Sequence, residues 1–333
     1  MSALIFVIVL AFAFDVTNGF HDSANSVAAL ISTRAATAAQ ALLITALGNL
    51  TGPLLAGTAV ANTVGGVVDV PLAETVPVVG VALTAAILWN LVTWRLGLPS
   101  SSSHALIGGL VGATLLRGWN GVHWGGFDGW RPYGVVGVLA GLAISPILGA
   151  IVGGAASSIA CRALRRTRRR VNSVIRRGEW VTASALAFSH GANDAQKTMG
   201  VVALLLVATG HLHQFYVPLW VRIAAATALT IGTMLGGWRI VHTVGHGIYR
   251  MHPIDGLVSQ GSSAAVILAA AAVGAPVSTT HVVASGVVGV GAQRRLRHVH
   301  WAVVREIGAA WVITLPVTAL AAAALLPVWK VVL

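Results

Sequence analysis

Apolar residues run along this chain in blocks of about 20, the length a helix needs to cross the hydrocarbon of a bilayer. Polar residues collect in the short gaps between the blocks. Read this way, the pattern predicts about ten helical crossings. They lie near residues 2–31, 38–61, 76–94, 96–116 and 133–160, then 180–209, 218–240, 255–273, 275–293 and 301–331. The first block carries no basic leader and no evident cleavage site, which predicts a retained span and not a removed signal peptide. The gaps leave no room for a soluble domain.

Composition agrees. Only 9% of the residues are charged and 56% are hydrophobic, with mean hydropathy +0.83; soluble domains carry about 25% charged residues. A soluble enzyme, a nucleic-acid binder and a disordered chain are excluded together. The net charge of +12 does not reopen the nucleic-acid reading, because the basic residues sit in loops, where they set membrane topology. If the N-terminus is outside, 16 of the 21 basic residues fall inside, among them Arg34, Arg95, Arg239, Arg250, Arg297 and eight arginines from Arg162 to Arg177. Arg117, Arg131, Arg222 and Lys330 fall outside, as do Asp69, Glu74 and Asp128. The predicted location is the cell inner membrane, with residues 161–178 as an Arg-rich cytoplasmic loop between repeats 1–160 and 179–333. Cys161 is a single cysteine, so no internal disulfide forms. The 38 glycines suit close helix packing. Trp94, Trp119, Trp130, Trp180, Trp220 and Trp301, near predicted span ends, read as interfacial anchors.

Two pairs of segments look alike across the Arg-rich loop. Gly19-Phe20-His21-Asp22-Ser23-Ala24-Asn25 resembles Gly191-Ala192-Asn193-Asp194-Ala195-Gln196-Lys197, and Pro99-Ser100-Ser101-Ser102-Ser103-His104 resembles Pro276-Val277-Ser278-Thr279-Thr280-His281. A weaker pair sets Gly57…Thr63-Val64-Gly65 against Gly237…Thr243-Val244-Gly245. Order and spacing match. Five crossings per half is an odd number, so the second copy enters the membrane from the opposite side. Duplicated units of inverted topology are the recurrent architecture of secondary transporters, with the substrate near the midplane.

Ionisable residues inside spans are costly and usually line a cavity or ion path. Asp22 and Asp194 are such residues at matching repeat positions. The neighbouring glycines predict local unwinding there, which with a carboxylate makes a cation or proton site. The alternative sets each at a helix end or in a structural hydrogen bond. Lys197 shares a helical face with Asp194 and reads as an ion-pair partner, as an anion ligand, or as a fixed charge replacing a bound cation. The two Pro-led Ser/Thr segments read as helix N-termini, where free N–H groups and the hydroxyls of Ser101, Ser102, Ser103, Ser278, Thr279 and Thr280 suit a tetrahedral oxyanion. Simple capping is the alternative reading. His104 and His281 read as loop-orienting caps, with proton or metal roles as alternatives. His211, His213, His298 and His300 lack the partners a zinc site needs. No P-loop is present, so ATP does not drive the chain directly, and no cofactor or resident metal is expected.

With these motifs in hand, the chain resembles the inorganic phosphate transporter (PiT) family. The resemblance rests on Asn18-Gly-Phe-His-Asp-Ser-Ala-Asn25, Gly97-Leu-Pro-Ser-Ser-Ser-Ser-His-Ala-Leu106, Ser189-His-Gly-Ala-Asn-Asp-Ala-Gln-Lys197 and Pro276-Val-Ser-Thr-Thr-His281. It implies an all-α polytopic protein of two inverted repeats, with broken helices and two helical hairpins whose tips hold phosphate near the midplane. It also implies alternating access and a homodimer. Carried over by position, Asp22, Asn25, Asn193 and Asp194 match the family's paired Asn-Asp motifs, which serve ions and substrate, and the tip hydroxyls match its phosphate-binding tips. The expected coupling residues are Asp22, Asp194 and His21, and the expected substrate ligands are Asn25, Asn193, Lys197 and the tip hydroxyls. His21 stands where sodium-driven members tend to have Asn, and Gln196-Lys197 where they have Ala-Asn. The pattern is similar to the bacterial low-affinity branch, which implies proton symport of phosphate, with a divalent metal as a co-transported partner. Sodium coupling and sulfate transport are the alternatives on this scaffold; an intramembrane metal-dependent enzyme or an anion channel are the alternatives of a different class.

Overall fold

The computed structural model describes residues 2–67, 70–116, 121–129, 131–166 and 171–332. Asp69, Arg117, Trp119, Trp130 and the arginines at 168–170 lie outside them. Twelve α-helices make up almost all of the described chain. The first half holds α1 (Ser2–Ser32), α2 (Ala38–Leu55), α3 (Ala59–Gly65), α4 (Leu72–Leu96), α5 (Ser102–Leu115) and α6 (Gly134–Leu164). The second holds α7 (Val171–Ala208), α8 (Leu219–Leu235), α9 (Trp238–His242) running into a π-helical turn (Thr243–Gly247), α10 (Pro253–Ala272), α11 (Thr279–Arg294) and α12 (Trp301–Val332). A short antiparallel hairpin, β1 (Gly126–Asp128) with β2 (Arg131–Tyr133), precedes α6.

The distribution of side chains is that of a membrane protein. Ile5, Phe6, Val9, Ile151, Val312 and Leu320 are exposed, whereas Asp15, Asn18, His21, Asp22, Asn193, Asp194 and Lys197 are buried. Among the described residues, six helices are long and apolar enough to cross a bilayer, and a seventh span forms if the bent pair α8–α9 counts as one. The expectation of ten simple crossings is therefore corrected at two places. The runs at 96–116 and 275–293 form helices of only 14 and 16 residues, about 21 and 24 Å long at 1.5 Å per residue, too short for a core of about 30 Å. Each folds back along the helix before it, as the α4–α5 and α10–α11 pairs. α7, 38 residues long, carries its polar residues from Ser189 to Thr198 buried against protein.

The unwinding expected beside Asp22 and Asp194 is also corrected. α1 and α7 are unbroken through both aspartates. Gly19 and Gly191 are instead points of close approach. A methyl group on Gly19 would lie 2.3 Å from the Leu229 carbonyl oxygen of α8, and one on Gly191 would lie 2.7 Å from Asn49 Cα of α2. The helix breaks fall between α2 and α3 and at Gly236–Gly237, where α8 and α9 bend by 66°, close to Gly57 and Gly237 of the weaker repeat pair. Residues 161–164 and 171–178, expected as loop, are the last turn of α6 and the first turns of α7.

The halves exchange partners. α1 packs on α8 and α2 on α7; α5 packs on α12 and α11 on α6; α4 meets α12 and α10 meets α6. These reciprocal contacts bring the two hairpin ends together beside the middles of α1 and α7.

Candidate functional site

Asp15, Asn18, Asp22 and Asn25 recur every three or four residues, which puts them in one stripe along α1. All four are buried. On α7, His190, Asp194 and Lys197 form the matching stripe, also buried. The two hairpin ends close over these stripes. Gly97 and Gly274, at φ +69° and +75°, turn the chain back after α4 and α10 through a conformation that glycine adopts without strain. Proline then leads each chain into its next helix.

Ser101 and Ser278 cap those helices. The backbone N–H of His104 donates to Ser101 Oγ at 3.2 Å and that of His281 to Ser278 Oγ at 3.3 Å. For these two serines the capping reading holds. The following hydroxyls reach the carboxylates. Ser102 Oγ donates to Asn18 Oδ1 at 2.6 Å and lies 3.3 Å from Asp22 Oδ2. Thr280 Oγ1 donates to Asp22 Oδ1 at 3.0 Å and accepts from Asn25 Nδ2 at 3.1 Å. Thr279 Oγ1 donates to Asp194 Oδ2 at 3.1 Å. Asp22 thus bonds both tips at once. Ser103 is buried in the first turn of α5.

The two aspartates have different company. Asp22 Oδ1 lies 2.8 Å from His21 Nδ1, and His21 Nε2 lies 3.0 Å from Thr93 Oγ1. Thr93 Oγ1 also donates to the Trp89 carbonyl at 2.9 Å. His21 thus bridges the two, its Nδ1 on the Asp22 carboxylate and its Nε2 on the Thr93 hydroxyl, and the ring tautomer sets which nitrogen donates. Asp194 is instead held by Lys197, whose Nζ donates to Oδ1, with His190 Nε2 2.9 Å from Oδ2. The ion-pair reading of Lys197 is realised, and burial makes the pairing obligatory, because an unpaired charge there would be costly.

Several buried polar atoms beside these groups have no protein partner. They are both amide atoms of Asn193, Asn25 Oδ1, His104 Nδ1 and both ring nitrogens of His281. Buried polar atoms are rarely left unpaired, so this cluster marks where a polar ligand fits. His104 and His281 face each other with ring centroids 4.7 Å apart. Asp22, His190 and Asp194 each offer a donor atom within 4.8 Å of the others, a geometry open to a cation.

Every residue expected to serve substrate or coupling is buried at this junction, on α1, α7 or a hairpin end. Sequence reading missed several others. His190 sits inside a quoted motif but one turn before Asp194, and only helical spacing singles it out. Thr93 and Asn49 carry no signal, because their partners are far away in sequence: Thr93 Oγ1 lies 3.0 Å from His21 Nε2, and Asn49 Oδ1 lies 2.9 Å from His190 Nδ1; Ser100, inside the Pro99 motif, donates to Thr93 Oγ1 at 3.0 Å. Asp15 accepts from Thr198 at 2.6 Å and extends the α1 stripe by two turns.

Comparison with known proteins converges on one family. A model described as "Phosphate transporter family" matches residues 18–322. The chain is 42% identical over 324 residues to a protein of Rhizobium meliloti (strain 1021) named "Probable low-affinity inorganic phosphate transporter", covering 96% of this chain and 94% of that one. A Bacillus subtilis (strain 168) protein of the same name is 39% identical over 320 residues, covering 95% and 93%. Among solved structures, one titled "The sodium-dependent phosphate transporter" superposes with a TM-score of 0.87 at 26% identity, covering all of both chains.

Proposed function

The chain belongs to the phosphate transporter family, a family of multi-pass membrane transporters and not of enzymes, and from that premise we propose that it imports inorganic phosphate by proton symport. The observation that carries the proton is His21 wedged between Thr93 and Asp22, an arrangement that sets an imidazole against a carboxylate. Lys197 supports the same reading, since its ammonium group occupies the charge position beside Asp194 where a sodium ion would be repelled.

Phosphate binds between the two tips. Ser102, Thr279 and Thr280 donate hydrogen bonds to carboxylates when the site is closed on itself, and turn to the oxyanion when it enters. Ser101, Ser103 and Ser278 contribute hydroxyls and helix-end N–H groups, and Asn25, Asn193 and Lys197 complete the cage. Asp22 and Asp194 supply hydrogen-bond acceptors. Phosphate keeps at least one proton near neutral pH and sulfate keeps none, so acceptors favour phosphate. In this reading 1–160 and 179–333 are inverted repeats joined at 161–178. They work by alternating access in the cell inner membrane as a homodimer, with the N-terminus outside.

A second reading adds a divalent cation, favoured by the convergence of Asp22, His190 and Asp194. The substrate is then a neutral metal–phosphate complex, and Lys197 withdraws from Asp194 when the metal arrives.

The test is labelled-phosphate uptake into proteoliposomes under an imposed pH gradient or an imposed sodium gradient, each with and without magnesium and with excess sulfate. Proton symport predicts accumulation under the pH gradient alone. Accumulation that requires sodium overturns the coupling, and competition by sulfate overturns the selectivity. A magnesium requirement selects the second reading.

A further inference from the structure

At the end of α1 lies a second polar feature, unrelated in sequence to the repeat motifs. An open pocket of about 1030 Å³ is lined by Arg34, Arg176, Arg250 and Arg297, with His246 and His298 among its neighbours. These side chains come from four separate segments: the turn after α1, the start of α7, the stretch from the π-helical turn to α10, and the link between α11 and α12. No carboxylate is among the described residues that line it. The nearest acid in the following helix, Asp255, is already engaged. Its Oδ1 lies 2.6 Å from Arg294 Nε, and its Oδ2 accepts from the His252 N–H at 2.9 Å and from the Tyr249 hydroxyl at 3.3 Å. Burial and the Asp255 charge push the Tyr249 hydroxyl up to about 12, so it remains a donor to that carboxylate. Glu179 of α7 faces Arg176, whereas among the described residues no ion pair engages Arg34, Arg250 or Arg297.

We propose that this basin is a binding site for a small polyanion carrying two or more phosphate groups. Loops that merely set topology scatter their arginines around a rim, whereas four arginines here line one concavity. Arg34 supplies a separate indication. It is the one non-glycine residue among those described that holds a positive φ, at 57°, in a helix-terminating position where glycine is the usual solution. A left-handed arginine is a strained choice, and such strain persists where the side chain has a use. Orthophosphate engages one or two guanidinium groups and is far smaller than the pocket. An anion spanning four of them needs several phosphate groups.

The basin is distinct from the transport site. Arg34 follows Asp22 by twelve residues, about 18 Å along a helix. Buried apolar side chains of Ala29, Ile248, Met251, Ala284 and Val287 cluster between the two. Ala29 is one turn beyond Asn25 and one turn before Thr33, and Ala284 is one turn beyond Thr280.

Two sources offer this chemistry, a soluble oligophosphate and the headgroup of a diphosphate lipid. The test titrates the purified full chain in neutral detergent with inorganic tripolyphosphate by calorimetry. The expected result is one site per chain that 5 mM orthophosphate does not displace. The double variant Arg250→Ala, Arg297→Ala should weaken it by about tenfold or more, as loss of charge-assisted bonds dictates, while Asp22→Asn leaves it unchanged. Both arginines are exposed, and Arg297→Glu alone gives the same reading if the double variant folds poorly. Repeating the titration in neutral nanodiscs with and without cardiolipin separates the sources: cardiolipin that blocks tripolyphosphate assigns the site to lipid, and undiminished binding assigns it to the soluble anion. No binding to the parent chain, equal binding by the arginine variants, or loss of binding in Asp22→Asn overturns the proposal.

Discussion

Asp22 and Asp194 occupy equivalent positions in the two halves, yet their surroundings have diverged. The residue before each is His21 in one copy and Asn193 in the other; the residue three later is Asn25 or Lys197. Asp22 is therefore met by an imidazole and two hydroxyls, and Asp194 by an ammonium group, an imidazole and one hydroxyl. One carboxylate has a neutralising cation at its side and the other a histidine ring. The lesson is that two similar sequence motifs can bring different charges to one site.

The sharpest way to break that comparison is to neutralise each aspartate. Asp194→Asn strands Lys197 in the interior, and removing one member of a buried ion pair costs about 3–5 kcal/mol. It should lower the melting temperature and yield in detergent, while Asp194→Asn with Lys197→Met recovers folding but not uptake. Asp22→Asn keeps hydroxyl partners, so it should melt like the parent and lose gradient-driven phosphate accumulation. Equal melting of the two single variants would refute the asymmetry.

A smaller effect is expected at His21. His21→Asn installs in the first copy the residue found in the second and removes the imidazole beside Asp22. Stimulation of uptake by an inward pH gradient should vanish while exchange of phosphate across the membrane at equal pH persists. Retained stimulation would move the proton elsewhere.

Next come the tip hydroxyls. Thr280 touches both Asn25 and Asp22, whereas Ser102 serves Asn18 and Asp22 at longer range. Each lost hydrogen bond is worth about 0.5–1.5 kcal/mol, so Thr280→Ala and Ser102→Ala should raise the half-saturation for uptake by about 2- to 13-fold, Thr280→Ala more. Unchanged values in both would remove the tips from the substrate site. The mildest change is Trp311→Phe, which deletes one hydrogen bond to the Pro99 carbonyl and should cost about 1 kcal/mol in thermal unfolding.

The membrane class and most helix positions were legible because burial in lipid writes itself as long apolar runs. The aspartates, Lys197 and the Ser/Thr segments stood out because polar residues are rare there. Less legible was the path of the backbone. α5, in the 96–116 run, is as apolar as a spanning helix, since a hairpin buried in protein and a helix buried in lipid select the same residues. Gly19 and Gly191 suggested unwinding, but a missing side chain serves close packing equally well, and only the neighbours α8 and α2 decide. His190, Thr93 and Asn49 act through partners that the chain brings from far away, and no local pattern encodes that distance.

Trp311 on α12 has a further consequence. Its indole N–H donates to the Pro99 carbonyl at 3.0 Å, and its ring lies 4.0 Å, centroid to centroid, from that of His281. One side chain therefore touches both hairpin ends. Indole emission responds to hydrogen bonding and to a neighbouring imidazole, so parting of the ends becomes an optical event. With the other ten tryptophans replaced by phenylalanine, the chain would carry its own fluorescent clock, timing each opening of the site without an added label.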